Sequence, residues 1–303
     1  MIYYFDLHRT RVFGRMFKDS GVVQRNPIRN VLSVYLLRRF SIMRKLPSIL
    51  FYPKPILKGE NDKIIVFDTY ASSRLITWLS ETQREKRIIL WYWNSLKNRA
   101  LKSSIPPRVE TWSFSKSDCA EFGLKYNTQF FFDCLAQEAA ECRRKGLSER
   151  PKAFFLGRDK GRSGILVNLK KALEREGVEV KLEILKPFAG RASFYWGKLL
   201  PYRKVIDYVK ESDILLDYYI YPETGLSLRA MEALFFGKKL ITNNLEILES
   251  DFYNPANIYV LDRDARSLRE FIDCPLEPVD PAIRDRYLLS NWLKRFDDTK
   301  PIL

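Results

Sequence analysis

Short apolar runs alternate along this chain with longer stretches in which apolar positions recur every three to four residues. Ile2 to Leu7 predicts a first strand. Lys63 to Phe67 (KIIVF) and Arg87 to Trp91 (RIILW) are continuous apolar runs and predict buried strands, with a helical stretch from Ser72 to Glu85 between them. Val109 to Phe114 and Thr128 to Phe132 (TQFFF) predict further strands. Ala139 to Pro151 is polar, charged and closed by a proline, which suggests a domain boundary near residue 150. The alternation then restarts with a strand from Ala153 to Gly157, a helix from Ser163 to Glu176 and a strand from Glu179 to Leu185. A helix from Tyr202 to Lys210 follows, with strands at Ile214–Asp217, Lys239–Thr242 and Asn257–Leu261 and a helical tail from Ala265 to Phe296. Strands alternating with helices make mainly parallel sheets, so the expected fold class is α/β. Two Rossmann-like doubly wound domains are expected, residues 1–150 and 151–303, the second carrying the C-terminal helices.

The chain has 303 residues, 46% of them hydrophobic and 29% charged, enough for two domains with full cores. Its four cysteines, at 119, 134, 142 and 274, form no CxxC pair, and His8 is the single histidine. Zinc and a disulfide framework are therefore disfavoured, and a reducing cytosol fits best. No run reaches the roughly 18–20 apolar residues that span a bilayer, and the start of the chain does not read as a signal peptide.

A net charge of +15 implies an anionic partner. It is concentrated in residues 9–58, where Arg9, Arg11, Arg15, Lys18, Arg25, Arg29, Arg38, Arg39, Arg44, Lys45, Lys54 and Lys58 face only Asp19. No zinc finger, ribonucleoprotein motif or GXXG loop is present, so nucleic acid is not the expected partner. Asn30 to Met43 (NVLSVYLLRRFSIM) reads as a basic amphipathic helix able to lie on an anionic membrane. The other reading is a helix packed in the N-terminal domain with exposed arginines.

Residues 157–164 (GRDKGRSG) follow the first strand of the second half and open a helix. Gly157, Gly161 and Gly164 let backbone approach a ligand, Ser163 is placed to cap the helix, and Arg158, Lys160 and Arg162 bring positive charge to where a diphosphate would sit. The loop matches neither a Walker A motif nor GxGxxG, which disfavours ATPase and dehydrogenase readings. Further on, YPETGLSLRAMEALFFGKKLITNN (221–244) predicts a turn, a short helix stopped by Gly237, and a strand. Gly225, Arg229 and Glu232 fall at i, i+4 and i+7, on one helix face, where a cation and a carboxylate could hold a phosphate and a sugar hydroxyl. The alternative is a surface Arg229–Glu232 pair. Ser227 and Asn243 are further substrate-binding candidates, and Tyr218, Tyr219 and Tyr221 could wall a ring or pack internally. Asp6, His8 and Asp68, at predicted strand ends, are the candidate general bases; capping and loop hydrogen bonds are their alternative role.

These segments together resemble the GT-B glycosyltransferases, especially small bacterial enzymes of lipopolysaccharide, capsule or related polysaccharide assembly. The likeness runs from about Ala153 to Phe296 and includes Asp251-Phe252-Tyr253-Asn254-Pro255 and Trp292-Leu293. It is looser in the first half, through Phe67-Asp68 and Trp91-Tyr92-Trp93-Asn94. The resemblance implies two domains facing a central cleft, a nucleotide-sugar donor held by the C-terminal half, and a glycan or lipid-linked acceptor. It implies that Glu232 holds the nucleotide ribose, that a basic residue of 158–162 holds the diphosphate, and that no metal or other cofactor is needed. Eight residues lie between Glu223 and Glu232, one more than the family spacing, and Thr224 takes the place of the first glutamate. The expected location is the cytoplasm, peripheral on the inner face of the membrane, with a non-catalytic docking subunit as the rival reading.

Overall fold

A computed structural model of the chain describes residues 2–5, 16–17, 22–25, 63–68, 73–96, 105–142, 146–185, 201–221 and 223–297. Asp6, His8 and the basic helix expected at 30–43 lie outside these residues. The chain divides into two compact units, the first within Met1–Asn127 and the second spanning Thr128–Thr299.

The first unit carries a six-stranded, all-parallel sheet in the order β2-β1-β3-β4-β5-β6. Its strands are β1 (Ile2–Phe5), β2 (Val22–Arg25), β3 (Lys63–Phe67), β4 (Arg87–Tyr92), β5 (Val109–Ser113) and β6 (Lys125–Tyr126). Because strand side chains alternate, Ile64, Val66, Ile88, Leu90 and Tyr92 share one face. That face packs on Leu75, Ile76 and Leu79 of helix α1 (Ser73–Thr82). Helix α2 (Lys116–Phe122) starts at Ser115, whose hydroxyl accepts from the Asp118 amide, and stops at Gly123 in the left-handed conformation.

The second unit opens with α3 (Asp133–Cys142) and holds a five-stranded parallel sheet in the order β11-β10-β9-β7-β8. The strands are β7 (Lys152–Arg158), β8 (Glu179–Leu185), β9 (Ile214–Asp217), β10 (Lys239–Thr242) and β11 (Ile258–Val260). Ala153, Phe155, Leu216 and Ile241 line one face with Leu166 and Leu173 of α4 (Ser163–Arg175) and Phe271 of α7 (Leu268–Asp273). The opposite face meets α5 (Tyr202–Glu211) and α6 (Leu228–Phe236), with Phe154 5.2 Å from the Tyr208 ring. Helices on both faces make the sheet doubly wound, as the alternation of elements predicted. The C-terminal helices are α7, α8 (Pro281–Arg286) and α9 (Leu289–Arg295).

Residues 128–132 depart from the expected strand. Phe130, Phe131 and Phe132 are all buried, as in a strand covered on both faces, but among the described residues the segment joins neither sheet. Phe131 makes one parallel bridge to Leu288, stacks on Phe235 of α6 at 4.7 Å and so anchors the start of the unit. Phe130 lies 4.6 Å from Trp292 of α9. Each such ring contributes about 1.5–3 kcal/mol by burial. The polar stretch 139–151 also lies within the second unit, beyond the division at residue 127/128. Its end is tied down by Asp213, 3% exposed, whose carboxylate accepts from the Ser148 amide and hydroxyl and from the Lys152 amide. Among the described residues no helix is long and apolar enough to cross a membrane.

Candidate functional site

In the second sheet the chain passes from β7 to β8 on one side, then returns to place β9 on the other. The order therefore reverses between β7 and β9, and in open α/β sheets ligands bind outside the carboxyl ends of the strands at that reversal. Here β7 ends at Gly157-Arg158 and β9 at Asp217. The basic loop picked out by sequence thus sits at the switch point.

Within that loop, Arg162 is turned inward and only 8% exposed. Its Nε donates to the Arg158 carbonyl at 2.9 Å, its Nη1 donates to the Tyr218 carbonyl, and the guanidinium lies over the Phe155 ring at 5.2 Å. Gly157 makes room for this: a Cβ there would stand 2.9 Å from both Arg162 Nη2 and Phe155 Cζ. Arg158 and Lys160 remain exposed, and Lys160 and Gly161 turn the chain with positive φ. Gly164 is exposed on the first turn of α4. Ser163 does not cap α4. The N-cap position is Arg162, and the Asp159 carboxylate accepts from the Ser163 amide at 2.9 Å. An acid three residues before the N-cap does the work expected of the serine.

The loop from β9 to α6 supplies the facing wall. Ser227 is the N-cap of α6, accepting from the Arg229 and Ala230 amides while its hydroxyl donates to Asp217 Oδ2 at 2.6 Å. Gly225 precedes the helix, so it does not share the helical face of Arg229 and Glu232. Its φ of 78° is in the left-handed region. Its carbonyl accepts from the Tyr219 hydroxyl at 2.9 Å and from Asn244 Nδ2 at 2.8 Å. Asn243 is a backbone clamp: its Oδ1 accepts from the Tyr219 amide at 2.7 Å and its Nδ2 donates to the Tyr219 carbonyl at 3.0 Å. Tyr221 stands 85% exposed at the edge of this loop.

Arg229 and Glu232 do pair at i, i+3, but in the interior, with Glu232 only 1% exposed. One Glu232 oxygen accepts from Arg229 Nη1 and the other from the Tyr202 hydroxyl at 2.9 Å. Burial pushes the Glu232 carboxyl above its ordinary range, against the pull of Arg229 and Tyr202. The Arg229 guanidinium lies 5.2 Å over Phe154. Glu223 meets the ammonium of Lys160, accepts from the Ile220 amide at 3.1 Å and lies 3.9 Å from Arg162. Four cations (Arg158, Lys160, Arg162, Arg229) thus stand among four carboxylates (Asp159, Asp217, Glu223, Glu232). The sequence shows the basic residues of 157–164 side by side, whereas the fold brings carboxylates from other segments to them. The partners Tyr202, 30 residues from Glu232, and Asp217, 10 residues from Ser227, have no signal in the local motif.

In the first unit Asp68 follows β3 and is 6% exposed. Its Oδ1 accepts from the Trp93 amide and Asn94 Nδ2, and its Oδ2 from Asn94 Nδ2, each at 3.1 Å. Those bonds tie the end of β3 to the end of β4, the loop role weighed beside general-base action. No protein-family model and no curated protein matches the chain.

Two outcomes follow from this geometry. Replacing Glu232 by Gln leaves Arg229 buried without its countercharge and is expected to cost about 3–5 kcal/mol in denaturant unfolding. A loss below about 1 kcal/mol would show that the pair is no structural element.

Asp217 gives the second. Burial pushes its carboxyl up to about 6 from an ordinary 3.8, opposed by Ser227, Arg229 and Arg162. The folded state then holds this proton to higher pH than the unfolded state, so the group's contribution to stability falls as pH rises from about 4 to 6. Asp217→Asn removes that slope. Its stability relative to wild type is expected to improve between pH 4 and pH 7 by at most about 3 kcal/mol. A pH-independent difference would mean an ordinary carboxyl.

Proposed function

We propose that the chain is a glycosyltransferase that moves a sugar from a nucleotide-sugar donor to a bacterial surface glycan or lipid-linked acceptor, with the donor diphosphate at the switch point of the second sheet. The observation that carries this reading is the convergence of Arg158, Lys160 and Arg162, on a loop opened by Gly157, with the Asp217–Ser227 pair at the ends of β7 and β9. The likeness of residues 153–296 to the GT-B enzymes supports it. Helix termini and protein cations can stabilise a leaving diphosphate without a metal, so we assign that task to Arg158 and Lys160, the exposed cations. Glu223 already holds Lys160, and a diphosphate would take its place.

A second reading, a non-catalytic glycosyltransferase-like docking subunit, is favoured by one observation. Glu232 and Asp68, the carboxylates first matched to ribose and acceptor chemistry, are both buried and hydrogen-bonded to protein groups. Transfer or hydrolysis of sugar nucleotides by the purified chain separates the two readings.

A thermal-shift screen over UDP, GDP, CDP, CMP and dTDP compounds is expected to find one that stabilises by about 2.7 kcal/mol at 100 times its dissociation constant. Arg158→Ala with Lys160→Ala should weaken that diphosphate by roughly tenfold or more per contact and its nucleoside far less. Glu223→Gln should tighten it by freeing Lys160. Equal losses for nucleoside and diphosphate would remove the loop from the phosphate site.

Membrane attachment is proposed from sequence alone, on the twelve cations of residues 9–58. Each near an anionic bilayer adds about 1 kcal/mol. Flotation with anionic vesicles at low salt, and not with neutral ones, is the expected result; failure to float with either removes the claim.

A further inference from the structure

Helix α6, the first residues of β10 and β11, and the chain linking α7 to α8 line a partly open pocket of about 220 Å³. None of Arg158, Lys160, Arg162, Asp217 or Ser227 lines it. Ala230 and Ala233, at i and i+3 on α6, and Gly237 just past its C-terminal end put little bulk on this side and open the space. Leu234, Phe252 and Ile258 complete an apolar interior. Its volume and mainly apolar lining suit a ring with a few methylenes.

The far wall is held in place. Asn257, 7% exposed, donates from Nδ2 to the Glu277 carbonyl at 2.7 Å and accepts the Glu277 amide on Oδ1 at 2.8 Å. This two-way clamp fixes the Leu276–Val279 chain over the cavity without filling it.

The remaining polar groups on the wall are Lys238, Glu277 and Arg284. Lys238 donates to the Lys210 carbonyl at 3.0 Å, and Glu277 is exposed. Arg284 is half-buried as a residue, and among the described residues its guanidinium makes no hydrogen bond, ion pair or ring contact. A half-buried cation beside an apolar hole, without a protein acceptor, is complementary to an anionic head joined to an apolar body.

We propose that this pocket binds a small amphiphilic carboxylic acid, its ring or short chain between α6 and Ile258 and its carboxylate on Arg284. The inference stands apart from the nucleotide reading, because no residue is shared.

The test is titration of the full chain with 4-phenylbutyrate, with 4-phenylbutan-1-ol and acetate as comparisons. Saturable binding of the acid is expected with a dissociation constant on the order of 1 mM or tighter, and the alcohol and acetate at least about tenfold weaker. Arg284→Gln should bring the acid down to the level of the alcohol, and Ala233→Phe, which fills the cavity, should abolish both. Should the phenylalanine variant fail to fold, methyl chemical shifts of Ala230, Leu234 and Ile258 in the wild-type chain report the same occupancy. No saturable binding, equal affinity for acid and alcohol, or undisturbed methyl groups would overturn the proposal.

Discussion

Two arginines buried against one strand set the terms for the second unit. Phe154 and Phe155 are consecutive in β7, so they face opposite sides of the sheet. Arg229 lies over the first ring and Arg162 over the second, each at 5.2 Å. A guanidinium gains about 2 kcal/mol or more from a ring when desolvated, but its burial costs several kcal/mol. The balance must come from acceptors. Glu232 serves Arg229, while the Tyr218 and Arg158 carbonyls, with Glu223 at 3.9 Å, serve Arg162. Remove either acceptor set and the cation on that face of β7 is stranded.

This constraint shapes the loops at the carboxyl edge. Tyr218 can accept from Arg162 only if the chain leaving β9 turns back. The Asn243 clamp on Tyr219 and the hydroxyl of Tyr219 on the Gly225 carbonyl hold that turn. Ser227 then arrives beside Asp217, capping α6 and stabilising a half-buried carboxylate with one hydroxyl. The edge is therefore charge-compensated. Any anion that binds there competes with Glu223, and discrimination comes from how well it replaces that carboxylate rather than from a bare cationic surface.

Much of this architecture was readable from residues alone. Lys63–Phe67, Glu179–Leu185, Ile214–Asp217 and Lys239–Thr242 are strands with the expected limits; Glu179–Leu185 alternates charged and apolar residues, and the others are short apolar runs bounded by charge or a turn. The TQFFF segment misled because β propensity reports a residue's fit to a pleated surface, and these rings bury against helices instead. At the site, sequence found the loop and the helix but not their partners. Glycine and capping signals are local, whereas the Tyr202–Glu232 and Arg162–Tyr218 bonds join residues 30 and 56 positions apart. A cation's environment is set by such distant groups. A basic motif therefore locates a loop more securely than it predicts the loop's free charge.

The two ends of α6 show the same rule applied in opposite directions. At its start, Ser227, Arg229 and Glu232 satisfy one another, so the polar groups there are spent on the fold before a ligand arrives. At its other end, small side chains leave space against β10 and β11, and Arg284 lines that space with no acceptor among the described residues. An open pocket on this side of α6 forgoes the apolar contacts that bulkier side chains would make there. The Asn257–Glu277 clamp uses two partly buried hydrogen bonds to hold the wall beside that pocket rather than letting it collapse. A packed core would be the more stable arrangement if stability alone governed this face of the unit. An open pocket with an unmatched cation is what a preformed binding site requires.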